Sequence, residues 1–158
     1  MTVSHDHDTD LAALQTLIGY EFERLELLER ALTHRSYVNE VVNADTNNQR
    51  LEFLGDSVLG LIVAQILFGQ FPDAEEGPLS GALSRLVCES ALAKVARTID
   101  LGRWVRLGIG EAKNGGRTRS SLLADTYEAL IAAVYLDSGL DPARGVIIKL
   151  QGEAIQEI

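Results

Sequence analysis

The sequence predicts an all-α fold. Three observations carry that prediction. Prolines number 3 in 158 residues. No stretch alternates apolar and polar residues for long enough to form a strand. Apolar residues recur instead at spacings of three and four, the period of one helix face. With 46% hydrophobic and 23% charged residues the composition is globular and excludes a disordered chain. The length fits one domain over residues 1–158, with 1–9 as a mobile tail.

The elements follow in order. Asp10 can cap a helix that runs to Ile18 and stops at Gly19, and Leu25, Leu27, Leu28, Ala31 and Leu32 mark a second helix ending near His34. Asn43 to Asn48 forms a polar loop whose asparagines suit an N-cap. From there RLEFLGDSVLGLIVAQILFGQF reads as a helix up to the break at Gly69 to Pro72, apolar nearly all round and so expected to be central. A helix from about Pro78 to Thr98 is followed by a glycine-rich basic loop, Gly102 to Gly116. SSLLADTYEALIAAVYLDSG is a second apolar helix ended by Gly139, and Asp141-Pro142 opens the last.

The single cysteine, Cys88, permits neither an internal disulfide nor a zinc-type pair, and its apolar helical context suggests a small core residue. The N-terminus lacks the apolar core of a signal peptide, and the longest apolar run, Val58 to Phe68, is too short to span a bilayer. A cytoplasmic address with no membrane partner is expected. A net charge of −9 and a pI near 4.7 argue, taken alone, against a polyanionic ligand. The charge is uneven, however. The span from Arg97 to Arg119 contains Arg97, Arg103, Arg106, Lys113, Arg117 and Arg119 against only Asp100 and Glu111.

Glu52 and Asp56 stand four apart in one apolar helix, and Asp125 and Glu128 three apart in the other, so each pair shares a helix face. Carboxylates in apolar helices are costly to bury unless they are paired or bound to a cation. If the two helices face each other, four carboxylates converge into an all-oxygen cluster suited to Mg²⁺ or Mn²⁺ and to phosphodiester hydrolysis. The other reading is that both pairs lie on solvated faces and only aid solubility. Spacing alone leaves both open.

The run Asn48-Gln49-Arg50-Leu51-Glu52-Phe53-Leu54-Gly55-Asp56-Ser57-Val58-Leu59 closely resembles the ribonuclease III signature NERLEFLGDSVL, differing only at Gln49. The likeness continues through ALTHRSY, EEGPLS, LVCESALAKVAR, LGIGEAKNGG and SSLLADTYEALIAAVYLDSG, and covers roughly Leu17 to Leu150. The resemblance implies a ribonuclease III catalytic domain, a homodimeric helical bundle. Its implied activity is Mg²⁺-dependent endonucleolytic cutting of double-stranded RNA, leaving 5′-phosphate and short 3′-overhang ends, in precursor and ribosomal RNA processing. It makes Glu52, Asp56, Asp125 and Glu128 the metal ligands, with Asp56 and Glu128 most directly catalytic. Glu76 matches a further acid bordering the family's site, and Phe53 an aromatic that packs into the partner subunit, the other reading of that ring being plain core. The double-stranded-RNA-binding domain that usually follows in this family is not found in this chain.

Two departures stand out. Gln49 keeps hydrogen-bonding capacity where the signature carries a charge. Beyond Glu76-Gly77 the chain has Pro78, Gly81 and Leu83, with Arg85 its first base, where the family commonly places Asp and basic residues. These departures motivate an alternative, a catalytically weak RNA-binding or scaffold protein of the same family.

Among the remaining candidates, Arg117 and Arg119 could contact RNA phosphates or lie on a solvated loop. His34 is taken as a hydrogen-bonded packing residue, Trp104 and Tyr127 as core, and His5 and His7 as part of a solvated tail. The stretch Gly108 to Ser121 fits neither phosphate-loop pattern, so no nucleotide cofactor is expected.

Overall fold

The computed structural model describes residues 4–41 and 46–158, with side chains from Leu11 onward. The side chains of His5 and His7, and the loop residue Asn43, lie outside the described residues. Among those described there are nine α-helices and no strand. One parallel bridge joins Thr33 to Arg106.

Helix α1 (Ser4–Ile18) begins six residues before the expected Asp10 cap, since nothing in residues 4–9 breaks a helix. It buries Leu11, Leu14 and Ile18, and ends at Gly19, whose φ of +72° suits a residue without a Cβ. Helix α2 (Leu25–Ala31) follows, then α3 (Arg35–Glu40), a short helix that buries no residue and so leaves no periodic trace in the sequence.

Helix α4 (Gln49–Gln70) starts at the polar loop, where Asn47 Oδ1 accepts from the Gln49 N–H at 2.9 Å. The buried Asn48 side chain instead donates to the Ala31 carbonyl, tying the start of α4 to the end of α2. Helix α4 is not central. It buries Leu51, Gly55, Val58, Leu59, Ile62, Val63 and Leu67 but leaves Phe53, Leu61 and Phe68 at 79%, 57% and 75% exposure.

The single helix expected over 78–98 is two: α5 (Glu76–Val87) and α6 (Glu89–Thr98), separated by extended backbone at Cys88. The break lets α5 pack on α4 while α6 turns its Leu92, Ala93, Val95 and Ala96 face toward α8. Cys88 is therefore exposed at the junction, not a core residue.

The glycine-rich segment is ordered by two 3₁₀ turns, Leu101–Trp104 and Gly116–Thr118, and by the short α7 (Ile109–Lys113). Helix α8 (Ser120–Ser138) is the true centre. It packs against α2, α4, α6 and α9, and its alanines at 124, 129, 132 and 133 permit close approach. Tyr127 is fully buried within it and donates to Gln151 Oε1 of α9 (Leu140–Gln156) at 2.9 Å, while Gln151 Nε2 donates to the Leu86 carbonyl. Helix α9 starts one residue ahead of Asp141, with Pro142 in its first turn, where a missing N–H costs nothing. Trp104 is buried, as expected.

Candidate metal centre

Two helices bring the acids together. Helix α4 supplies Glu52 and Asp56, helix α8 supplies Asp125 and Glu128, and these are the most extensively packed pair of helices in the chain. They meet at Gly55, where any Cβ would overlap the backbone carbonyl of Glu128. That contact sets the carboxylates on either side of it. Oxygens of Glu52, Asp125 and Glu128 all lie within 4.8 Å of one another, each side chain half-buried. Asp56, one turn beyond Glu52, is exposed and stands outside this set of three.

Such crowding of like charge has a thermodynamic signature. Burial, then the charges of Asp56, Asp125 and Glu52, push the Glu128 carboxyl up to about 8. Burial raises Glu52 as well, reinforced by the charges of Asp125 and Asp56 and by a hydrogen bond with Asp125. Asp125 is raised by burial and by the charge of Glu89, against a lowering hydrogen bond from Glu52. In a cluster whose carboxyls are all raised, a divalent cation would relieve both repulsion and desolvation. Three hard oxygen donors at this spacing fit Mg²⁺ or Mn²⁺. Glu52, Asp125 and Glu128 are half-buried against one another, whereas Asp56 is exposed, as on a solvated face.

A cavity of about 300 Å³ opens beside Glu52 and Asp125. Gln49 and Arg119, both site candidates, line it, as do His34, Arg35 and Ser121. Arg119 is ion-paired to Glu111 of α7. Arg117, an exposed residue, ties the loop together: its Nη1 donates to the Gly102 carbonyl at 2.9 Å and to the Val105 carbonyl at 2.6 Å. Glu76 is not brought to the cluster within the chain. It opens α5 beside Phe68, at the far end of α4 from Glu52, and accepts from Ser80 Oγ at 2.6 Å. Phe53 projects into solvent next to Glu52.

Sequence reasoning missed Glu89, whose charge reaches Asp125 from the first turn of α6. It also missed the cavity roles of His34, Arg35 and Ser121. None had a local signal, because their proximity to the acids depends on how α3, α6 and the loop before α8 fold back.

Comparison with known proteins gives the family and the fold. The chain matches the family model described as Ribonuclease-III-like over residues 25–152. It is 50% identical to Ribonuclease 3 of Caldanaerobacter subterraneus subsp. tengcongensis over 148 residues, covering 94% of this chain and 65% of that protein. With Ribonuclease 3 of Syntrophobacter fumaroxidans the identity is 52% over 141 residues, 89% of this chain and 58% of the relative. The chain thus spans less than two thirds of the length of these relatives. A crystal structure of the nuclease domain of ribonuclease III from Campylobacter jejuni superimposes with a TM-score of 0.84 at 35% identity, covering 100% of this chain and 99% of that one. A second structure of that domain, described for structural flexibility in a region involved in dimer formation, gives 0.83 at 38% identity, covering 89% of this chain and 95% of that one.

Proposed function

The chain belongs to the ribonuclease-III-like family, and from that premise we propose that it is a metal-dependent endoribonuclease acting on double-stranded RNA as a homodimer. The observation that carries the reading is the convergence of Glu52, Asp125 and Glu128 within 4.8 Å. These three would hold the cation, with Asp56 beside them adding charge felt by both Glu52 and Glu128. Bound there, Mg²⁺ or Mn²⁺ supplies the Lewis acidity that phosphodiester hydrolysis requires.

The protein's own groups do the rest. The Glu128 carboxyl, raised to about 8, keeps its proton at neutral pH in the free protein and gives it up when the site fills, so occupancy and ionisation are linked. Gly55 holds α4 and α8 at the separation the cluster needs. Arg119 and Gln49 offer donors to a phosphate in the adjoining cavity. Local basic residues thereby offset the overall charge of −9.

The exposed face of α4 supports the dimer. Phe53, Leu61 and Phe68 recur at spacings of eight and seven, one stripe along the helix. An apolar cavity of about 450 Å³, lined by Ala64, Leu67, Phe68, Leu79 and Leu83, adjoins the far end of that stripe, roughly 24 Å along the helix from Glu52. A two-fold axis crossing α4 against its copy seats Phe53 in the partner's cavity. Glu76, on the rim of that cavity, then reaches the partner's carboxylates, which accounts for an acid that stands away from the cluster in its own chain. Helix α4 is also long and apolar enough to cross a bilayer, but its stripe and the adjoining cavity suit a protein partner better than lipid. Products with 5′-phosphate and 3′-overhang ends, a role in precursor RNA processing and a cytoplasmic address complete the proposal.

The test is incubation with end-labelled duplex RNA at low salt, with and without Mg²⁺ or Mn²⁺, beside Glu128→Gln. Metal-dependent cutting that the variant loses is the expected result. Intact duplex with retained binding would select the scaffold alternative.

A further inference from the structure

His34 is held in one tautomer by its neighbours. The Gly108 N–H donates to Ser36 Oγ at 2.9 Å, so that oxygen accepts there and is free to donate its own proton elsewhere. His34 Nδ1 lies 2.7 Å from the same hydroxyl and accepts from the Ser36 N–H at 3.2 Å, which makes His34 the N-cap of α3. A ring nitrogen that accepts a backbone N–H carries no proton, so the neutral imidazole bears its proton on Nε2. Burial, together with the charges of Arg35 and Arg119 and against that of Glu111, holds the ring below the usual histidine range and keeps it neutral.

That Nε2–H has somewhere to point. No described atom accepts from it, and no fully enclosed side-chain nitrogen or oxygen among the described residues lacks a partner, so Nε2 is not sealed inside the fold. His34 lines the cavity that also holds Glu52, Asp125 and Arg119. We propose that His34 is a substrate-positioning residue, whose Nε2–H donates to a non-bridging phosphate oxygen of the RNA strand as the neighbouring phosphodiester enters the carboxylate cluster. Nothing in the family signature marks this role. It follows from the Gly108–Ser36–His34 chain of hydrogen bonds and from the cavity the ring shares with the acids. The inference rests on the nuclease reading above.

The test separates capping from substrate contact. Asparagine at position 34 keeps an acceptor for the Ser36 N–H but offers no donor at the reach of Nε2, whereas glutamine places its amide nearer that point. His34→Asn should melt within a degree or two of the parent. It should lose about tenfold or more in kcat/KM, mainly through KM, with a matching loss of duplex affinity when both proteins carry Glu128→Gln. His34→Gln should recover part of the loss. A single methylphosphonate beside the scissile bond should slow the parent and leave His34→Asn unaffected at one position. If His34→Asn melts below the assay temperature, His34→Ser, also able to cap, replaces it. A parent that cuts duplex RNA while the capping-competent variant retains parental kcat/KM overturns this inference alone. A parent that leaves duplex intact overturns the nuclease reading on which it stands.

Discussion

Gly55 of α4 lies directly against the backbone carbonyl of Glu128 on α8, leaving no room for a Cβ. The two helices that carry the carboxylates therefore touch backbone to backbone at the level of the site. The separation of Glu52 from Glu128 is thus a packing property before it is a chemical one.

Gly55→Ala should force α4 and α8 apart. Overpacking at a backbone contact costs about 1–3 kcal/mol. Thermal unfolding should therefore show a Tm several degrees lower, and cleavage should need more metal, because the three carboxylates no longer converge. A variant with parental Tm and parental metal requirement would mean that the contact does not set the site.

Proton and metal should compete. The folded-state pKa of Glu128 is raised from its ordinary value to about 8, so its contribution to stability is complete below the unfolded value and is lost as pH rises through about 8. Glu52 and Asp125 shift in the same direction. The metal-free Tm should fall between about pH 4.5 and pH 8, while the Tm gain from Mg²⁺ should grow over the same interval. Scanning fluorimetry across that range, with and without the ion, measures both.

Asp137, at the end of α8, should behave in the opposite sense. Burial pushes its carboxyl up, but the Tyr20 hydroxyl at 2.6 Å, the N–H groups of Glu23 and Arg24 at 2.9 and 3.0 Å, and the Arg24 guanidinium outweigh it and hold the group low. A depressed pKa gives stability that is present above the unfolded value and lost as pH falls through the folded one. Asp137→Ala should cost about 1–2 kcal/mol at neutral pH. The gap from the parent should close on acidification, read by denaturant unfolding at several pH values.

Phe53→Glu should leave the protomer's stability almost unchanged, because the ring is 79% exposed in the single chain. It should nonetheless convert the proposed dimer to a monomer in sedimentation velocity and lower cleavage. A stable dimer of the variant would remove α4 as the interface.

The two arginines before α8 should separate. Arg117→Ala frees the carbonyls of Gly102 and Val105 and should lower Tm. Arg119→Ala loses an ion pair with Glu111 at the cavity mouth and should mainly weaken duplex binding and flatten its salt dependence.

Much was legible from residue order alone. Scarce proline and three-and-four spacing give helices, because helix formation is a matter of local backbone geometry. The same geometry puts Glu52 with Asp56, and Asp125 with Glu128, on shared faces. The signature around Glu52 carries the family, since an ordered match in several blocks is specific. Contacts between distant segments were beyond such reasoning. That α8 rather than α4 is central, that the chain breaks at Cys88, that Arg117 holds the Gly102 and Val105 carbonyls, and that Asp56 stands outside the closest three acids all depend on which surfaces meet. Local periodicity says which face of a helix is apolar but not what covers it. Only the tertiary fold, through Gly55 against Glu128 and His34 against Ser36, decides which acids converge and how the histidine beside them is held.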